Sequence, residues 1–324
     1  MLPCSFGRRT TLLGASAALV TGTGRAQEVF PSRPIRMIIP FPAGGPTDVY
    51  ARLYAERLGR ELGQSVVTEN RGGAGGAIGS LEVSRARADG YTILFGTAST
   101  HALYPLVARQ PQFDVLRDFT AIAELGGGPL CWLAHPSRPA TLRSFLDAAR
   151  NANPLVSYGS PGSGTMMHLA TELLKQQAGG VAITHVPYRG AAPAATDVIA
   201  GNIDGLIAAI PDVGRNERLR LLAMTTPERL PRWPDVPSVA ELGLGQLVAA
   251  NWFGISGPAG IPAPVADRLN AALVESLAAP AITERLIELG AAPNRLDRAA
   301  FTALVEADMK RWAQIVRDAG IKAD

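Results

Sequence analysis

The sequence predicts an α/β fold in which two lobes, each a sheet flanked by helices, face each other across a cleft. Short apolar segments alternate with segments whose apolar residues recur at helical spacing, which indicates a parallel sheet. This alternation occurs twice, before and after the glycine- and proline-rich residues 126–129. Polar, glycine-rich loops follow several strands, and in a parallel sheet such loops meet at the edge where ligands bind.

Length and composition agree with a globular chain of two domains. The chain has 324 residues, of which 47% are hydrophobic and 18% are charged, so it can bury a sizeable core. We predict a first lobe at residues 27–128, a second lobe at 129–249, and a return of the chain to the first lobe with C-terminal helices at 250–324.

Residues 1–26 are typical of a cleavable signal peptide. Arg8 and Arg9 precede an apolar run at residues 12–20, and small residues lead up to Gln27. The run is too short for a membrane span, which needs about 20 residues. The paired arginines suit the twin-arginine route as well as ordinary Sec export. We therefore expect a mature periplasmic chain that begins near Gln27 and does not span the membrane.

Charge and cysteine content exclude several function classes. The formal net charge of +3 comes from Arg8, Arg9 and Arg25 of the signal segment, so the mature chain is formally neutral. Nucleic-acid binding therefore loses its main support. Cys131 is the cysteine that remains after Cys4 is removed, and its apolar surroundings predict a buried structural thiol in preference to a nucleophile.

The first lobe begins with a strand at residues 35–39, a glycine-rich loop, and a helix that starts near Pro46, since proline is tolerated at the first helical position. A strand at 65–69 and a helix follow, then a strand at 91–95. The loops around Gly45, Gly73 and Ser99 leave the carboxyl ends of these strands, so we expect them to converge.

The first of these loops has the features of an anion site. Ala43, Gly44 and Gly45 leave backbone amides bare just before a helix N-terminus, where the helix dipole favours negative charge. Thr47 adds a hydroxyl, and Asp48 either caps the helix or reaches the ligand. The alternative is a tight turn that needs glycine for conformational reasons alone.

The second lobe repeats the pattern. Its predicted crossover is at residues 126–129, and its predicted strands and helices occupy 130–134, 142–150, 155–158, 166–174, 182–186, 203–207 and 219–224, before a returning strand at 252–256 and helices from about 264. The loop at 159–165 contains glycines and hydroxyls and also leads into a helix. It lacks the lysine of a nucleotide-binding loop.

Individual polar residues leave alternatives open. His168 either orients the 159–165 loop or touches ligand, and Arg189 is either a surface residue or the counter-ion of an acidic ligand. Tyr188 packs at the cleft edge or contacts ligand. Asp204 is a hydrogen-bonding residue at a strand end or the partner of a ligand amino group. The four histidines lack metal-ligand spacing, so we expect no metal, and no cofactor-binding motif is complete.

Six segments together identify a family. The sequence resembles the solute-binding proteins of the tripartite tricarboxylate transporter system, the Bug type, and the resemblance covers essentially the whole mature chain. The matching segments are residues 40–48, 69–76, 158–165 with His168, 185–190, 219–225 and 234–241. Two departures are Arg189, where lysine is common in the family, and the stretch 203–219, which is a few residues shorter than usual.

The resemblance implies a type II-like periplasmic binding protein that captures a small carboxylate, such as a di- or tricarboxylate or related organic acid. It also implies presentation of that solute to membrane components of a transporter, without cofactor or catalysis, and we expect a monomer. An enzyme acting on a small acid in the same cleft is the alternative, but no nucleophile–base pair is evident. The expected ligand-binding residues are Phe41, Ala43, Gly44, Gly45, Thr47, Asp48, Gly75, Thr97, Ser99, Ser160, Gly162, Ser163, Gly164, Thr165, His168, Tyr188, Arg189, Gly190, Ala191 and Asp204.

Overall fold

The computed structural model describes residues 29–152, 155–209, 218–288, 290–294 and 296–322. The predicted signal segment and residues 210–217 of the shortened stretch lie outside these ranges. The strands are β1 Ile35–Ile39, β2 Val66–Asn70, β3 Thr92–Thr97, β4 Phe119–Ala134, β5 Ser157–Ser160, β6 Thr184–Pro187, β7 Gly205–Ala209, β8 Arg220–Met224 and β9 Ala250–Pro258.

The α-helices lie on both faces of the sheet. They are α1 Pro46–Leu62, α2 Ala77–Ser84, α3 Tyr104–Val107, α4 Val115–Asp118, α5 Leu142–Arg150, α6 Met166–Gln177, α7 Ala191–Ala200, α8 Ala263–Ala278, α9 Pro280–Glu288 and α10 Arg298–Asp318. Within the described ranges, no helix combines the length and apolar character that crossing a membrane requires.

The strands form one curled sheet in the order β2-β1-β3-β9-β4-β7-β5-β6, and β8 also pairs with β4. The prediction of parallel strands is confirmed within each lobe, because β1 is parallel to β2 and β3, and β5 is parallel to β6 and β7. The two central strands differ from the prediction. β9 is antiparallel to β3 and β4, and β4 is antiparallel to β7 and β8, because these strands carry the chain between the lobes in opposite directions.

The predicted crossover at residues 126–129 lies inside β4, which carries the chain from the first lobe to the second, so the crossing is part of one continuous strand. Gly127 and Gly128 pair with Trp252 and Asn251 of β9, after a register shift in β4 between Glu124 and Gly127. A Cβ on Gly127 would approach the Cα of Trp252 to 2.4 Å. The glycines therefore allow close packing of two backbones and a bulge, and they do not form a loop.

The largest core cluster extends through both lobes. It includes Leu94 in β3 and Trp132 in β4, and Phe301 and Trp312 of α10 pack into it. Separate clusters cover the opposite face of each lobe. Cys131 is fully buried and its Sγ donates to the carbonyl of Ala208 at 3.3 Å, which confirms the predicted structural thiol.

Candidate functional site

A partly open space, the inner cavity, lies where the carboxyl ends of β1, β3 and β5 meet the start of β9 and the N-termini of three helices. Its volume is about 100 Å³ for the centre of a water-sized sphere. One water needs roughly 10–15 Å³ on this measure, so the cavity can hold a small organic molecule. Its lining consists of Phe41, Pro42, Ala43, Gly45, Pro46, Thr47, Thr97, Ser99, Pro161, Thr165, Met167, Arg189, Gly190, Ala191, Ala192, Pro193 and Asn251.

A wider space, the outer groove, adjoins the inner cavity. On the same measure its volume is about 680 Å³, and it is lined by Asn70, residues 72–76, Ile78, Gly162, Ser163, Pro187 and Tyr188. Five lining residues are common to both spaces: Phe41, Pro42, Pro161, Arg189 and Gly190. Residues from both lobes therefore form the boundary between the two spaces.

The helices α1 and α7 begin at the inner cavity without a side-chain cap. The residue before α1 is Gly45 and the residue before α7 is Gly190, and neither offers a capping side chain. The first backbone N–H groups of an α-helix have no partner within the helix, and the dipole adds partial positive charge there. Two sets of amide donors therefore face a space that suits an anion.

The helix α6 begins at the same cavity, but its first turn is capped. The Thr165 hydroxyl accepts from the backbone N–H of His168 at 3.4 Å and donates to the carbonyl of Gly162 at 2.8 Å. The backbone N–H of Gly164 donates to Nδ1 of His168 at 3.0 Å. These donors of the 159–165 loop are used within the chain, which the glycine pattern alone did not indicate.

A hydrogen bond between the lobes occupies a further donor of α6. The backbone N–H of Met166, the first residue of α6, donates to Oγ of Ser99 at 3.1 Å. Ser99 follows β3 in the first lobe, whereas α6 belongs to the second. The bond holds the lobes together at one side of the inner cavity.

His168 lies beneath the loop and does not line either space. Its ring stacks on His185 with the ring centroids 3.9 Å apart, and Nε2 of His185 is 2.7 Å from Oγ of Ser160. Burial lowers the pKa of His185 to about 3, with a further contribution from His168, and burial also lowers the pKa of His168. Both rings are therefore neutral at pH 7, as the N–H donation from Gly164 to His168 requires.

Asp48 and Asp204 have partners within the chain. The Asp48 carboxylate accepts from the Gly44 amide at 3.0 Å and from the side chains of Arg52 and Asn70 at 3.0 and 2.9 Å. Burial raises the pKa of Asp48, but these hydrogen bonds outweigh it and the net pKa is lowered. Asp48 thus holds the first loop in place through Gly44 and does not line the inner cavity.

Asp204 lies before β7, at the end of β5 that is remote from the inner cavity. Its carboxylate accepts from the backbone N–H of Ser157 at 2.7 Å and pairs with Arg138. These contacts match the interpretation as a hydrogen-bonding residue at a strand end.

At the outer groove, Tyr188 donates its hydroxyl to Asp197 at 2.6 Å.

The expected binding residues thus fall into three groups according to which space they line. Those that line the inner cavity are Phe41, Ala43, Gly45, Thr47, Thr97, Ser99, Thr165, Arg189, Gly190 and Ala191. Those that line only the outer groove are Gly75, Gly162, Ser163 and Tyr188. Those that line neither space are Gly44, Asp48, Ser160, Gly164, His168 and Asp204.

Asn251 is a lining residue that the sequence did not indicate. It lies near the start of β9, and no local motif marks it, because its position depends on the antiparallel pairing of β9 with β3 and β4. The apolar wall, which includes Pro46, Met167 and Pro193, was not indicated either.

Arg189 is the one charged side chain of the inner cavity within the described ranges, and it has no ion-pair partner there.

The chain matches a known family. Residues 50–321 match the model of the tripartite tricarboxylate transporter family receptor. Protein BugT of Bordetella pertussis is 34% identical over 97% of this chain and 98% of its own length. Periplasmic binding protein BugD has a structure similar to this one, with a TM-score of 0.85 and 32% identity over 91% of this chain and 100% of its own.

Two similar structures contain dicarboxylates. MatC from Rhodopseudomonas palustris with bound malate has a TM-score of 0.83 and 30% identity over 89% of this chain and 100% of its own. R. palustris Rpa4515 with adipate has a TM-score of 0.86 and 34% identity over 90% of this chain and 99% of its own. These proteins are solute-binding receptors and not enzymes. The present chain therefore belongs to the tripartite tricarboxylate transporter receptor family and, within it, to the Bug-type solute-binding proteins.

Proposed function

We propose that this receptor captures a small organic acid with one or two carboxylates in the inner cavity. The observation that carries the proposal is the convergence of two uncapped helix N-termini, those of α1 and α7, on a cavity with one cationic side chain. Such a site supplies fixed N–H donors to one carboxylate without a salt bridge.

The first carboxylate sits between the two helix starts. Gly45 and Gly190 keep the backbone accessible there, and the hydroxyl of Thr47 is a further donor on the same wall. A carboxylate in this position is stabilised by charge-assisted hydrogen bonds, which are roughly twice as strong as neutral ones.

Arg189 serves a second carboxylate at the boundary with the outer groove. The side chain lines both spaces and is exposed, so it can reach the distal end of a bound acid. One cation balances one further negative charge, which favours dicarboxylates over tricarboxylates. The adipate and malate in the structures of related receptors support this class.

The acid is captured in the periplasm and passed to the membrane components of a tripartite transporter. The signal segment at residues 1–26 supports export, and the family supports the partner. The proposed lobes, with boundaries near 128 and 249, close on the ligand as in hinge-bending receptors. Sequencing the N-terminus of the periplasmic form tests the export step, and an intact Met1 there would contradict it.

A thermal-shift screen tests the ligand class. The panel contains monocarboxylates, succinate, adipate, citrate and an uncharged diol. We expect stabilisation by acids with one or two carboxylates, and we expect Arg189→Ala to weaken dicarboxylates more than monocarboxylates. Stabilisation by none of the acids contradicts the receptor assignment of this cavity. A preference for citrate contradicts the charge argument.

A further inference from the structure

Prolines limit the number of amide donors at both uncapped helix starts of the inner cavity. Pro46 is the first residue of α1 and Pro193 is the third residue of α7, and both line the cavity. Proline has no backbone N–H, because a carbon of its ring occupies the position of the hydrogen. Two N–H groups remain among the first three residues of each helix. These amides match the roughly four acceptor positions of a single carboxylate.

Beyond the amide donors, most of the cavity wall is apolar. Phe41 and Pro42 form it on the first lobe, and Met167 and Ala192 form part of it on the second. The two sides approach each other closely, because a Cβ on Gly190 would lie 3.7 Å from Cγ of Pro42. The part of a ligand that extends from the carboxylate therefore lies between hydrocarbon groups of both lobes.

The side-chain oxygens on the wall offer a ligand few acceptors. The hydroxyls of Ser99 and Thr165 are bonded to α6 and its loop, and Oγ1 of Thr97 and Oδ1 of Asn251 are buried away from solvent. Among the described lining residues, Thr47 has the remaining side-chain oxygen, and the proposed function assigns its hydroxyl to the carboxylate. The carbonyls in the first turn of a helix accept hydrogen bonds within that helix.

A polar substituent on the body of the ligand therefore weakens binding. A hydroxyl gives up its hydrogen bonds to water when it enters the cavity, and its hydrogen finds few acceptors on this wall. An ammonium group also brings a positive charge, and the charged side chain on the described part of the wall, Arg189, has the same sign. Hydrocarbon groups, in contrast, gain free energy when they leave water for an apolar surface.

We propose that the receptor is selective for acids with an unsubstituted hydrocarbon body, aliphatic or aromatic, over hydroxy and amino acids of the same length. This inference rests on the proposed function, since it requires that a carboxylate occupies the helix starts of the same cavity. The two sets of contacts differ in kind. The amides hold the charge that all these acids share, and the apolar wall distinguishes among their bodies.

Calorimetry with ligands that differ at one carbon tests the inference. Succinate, each enantiomer of malate, and L-aspartate carry hydrogen, hydroxyl and ammonium at that carbon, and phenylacetate and mandelate form a second matched pair. We expect each hydroxy acid to bind roughly five- to a hundredfold more weakly than its parent acid, as for burial of one hydroxyl without a partner. We expect L-aspartate to bind most weakly of the four-carbon acids.

Variants connect this preference to the apolar wall. Met167→Gln places an amide on the wall at nearly constant side-chain length, and we expect it to reduce the preference for the parent acid. Ala192→Ser makes a smaller change at an exposed position of the wall and should act in the same direction. Ala200→Ser is the matched control, because Ala200 is exposed at the other end of α7 and does not line the cavity. It should leave the preference unchanged.

The outcomes separate this inference from the proposed function. If the hydroxy acids bind as tightly as their parent acids or more tightly, or if L-aspartate binds most tightly, the apolar wall does not select the ligand body and the carboxylate receptor stands. The same holds if the preference is unchanged in both Met167→Gln and Ala192→Ser. If no acid binds to the folded wild-type protein, the proposed function fails together with this inference.

Discussion

The loops before α1 and α6 look alike in sequence and differ in what their donors do. Each joins the carboxyl end of a strand to a helix, contains glycines, has a threonine at or near the helix start, and meets the inner cavity. The helix α1 has no side-chain cap, whereas the first turn of α6 is bonded to Thr165 and Ser99. Glycines before a helix therefore indicate accessible backbone amides only where no side chain accepts a hydrogen bond from those amides.

The difference has a physical cause in the neighbouring side chains. In the second loop, the ring of His168 accepts from Gly164, and stacking on His185 fixes that ring. In the first loop, Asp48 accepts from Gly44 from the side opposite the cavity. The first loop is thus held by the bond from Gly44 to Asp48, and the start of α1 has no side-chain cap. The second loop is held by bonds that occupy the amides at the start of α6. We infer that the first loop binds the acid and that the second mainly holds the lobes in position.

The largest expected effect is at Gly45. Its φ is −80°, and an added Cβ would lie 3.6 Å from the carbonyl of Pro42, so a side chain is tolerated by the backbone. In Gly45→Leu the side chain occupies the cavity, and we expect the affinity for the acid to fall by more than about 100-fold, as for loss of two or more charged hydrogen bonds. Calorimetry measures this loss.

Gly245→Leu is the matched control for that variant. Gly245 is exposed, and an added Cβ meets no atom within 4 Å. It should bind like wild type. If Gly45→Leu also binds like wild type while remaining folded, the acid does not occupy the start of α1.

Two threonines compare the loops directly. Thr47→Ala removes a hydroxyl from the cavity wall, and we expect affinity to fall roughly ten- to a hundredfold, because hydrogen bonds to charged groups contribute about 1.5–3 kcal/mol. Thr165→Ala removes a helix cap and should lower stability by about 1 kcal/mol, with a smaller effect on affinity. Calorimetry and thermal unfolding separate the two, and a larger binding loss in Thr165→Ala would reverse the comparison.

Ser99→Ala tests the bond between the lobes. In the open form water can replace the lost partner of the Met166 amide, so the closed form loses about one net hydrogen bond, or roughly 0.5–1.5 kcal/mol. We expect affinity to fall roughly three- to tenfold and the radius of gyration without ligand to increase in solution scattering. Ser276→Ala, which removes a buried hydroxyl bonded to Ala272 within α8, is the control. Unchanged affinity and scattering in Ser99→Ala would show that this bond does not favour closure.

The smallest effect concerns pH and the second loop. Burial keeps the pKa of His185 at about 3, below 6.5 for a free histidine. Between these values the unfolded chain binds a proton that the folded chain does not, so the contribution to stability is complete above pH 6.5 and is lost as pH falls towards 3. We expect the Tm of wild type to fall by at least ~2 °C more than that of His185→Gln between pH 7 and pH 4.

His168 belongs to this difference, because its ring stacks on His185 and a charge on either ring disfavours a charge on the other, whereas titrating groups outside this pair do not alter the difference. Burial lowers the pKa of His101 to about 4 and raises that of Glu124 to about 7, so Glu124 changes stability in the opposite sense. Both groups are present in both proteins, and neither shares a hydrogen-bond or ring contact with His185, so their contributions cancel in the comparison. Equal Tm shifts in the two proteins would mean that the fold does not keep the ring of His185 neutral.

Local pattern predicted most of the fold. The start of α1 at Pro46 and the bounds of β1 and α5 agree with the sequence, because strong apolar periodicity and proline position define them. The sequence did not indicate that the crossover at residues 126–129 is part of one continuous strand, β4, because three glycines and a proline do not suggest a strand until the close packing against β9 is known. Pairing between strands that are distant in sequence leaves no local sequence pattern.

The same distinction applies to the site. Gly45, Thr47 and Gly190 were indicated because a strand, a loop and a helix are consecutive in sequence. Asn251 was missed because only the pairing of β9 with β3 brings it to the cavity. The capped state of α6 depends on Ser99, which is 67 residues away from its partner Met166. What could not be predicted is therefore contact across sequence distance.

The continuity of β4 limits how this receptor can be divided or rebuilt. β4 pairs with β9 at one end and with β7 and β8 at the other, so a cut within it removes a sheet strand from both lobes at once. Neither lobe is then an independent module for exchange with a related receptor. A reporter domain for a biosensor is better inserted in an exposed surface turn, such as the one at Gly243 and Gly245, where the backbone connecting the lobes stays intact.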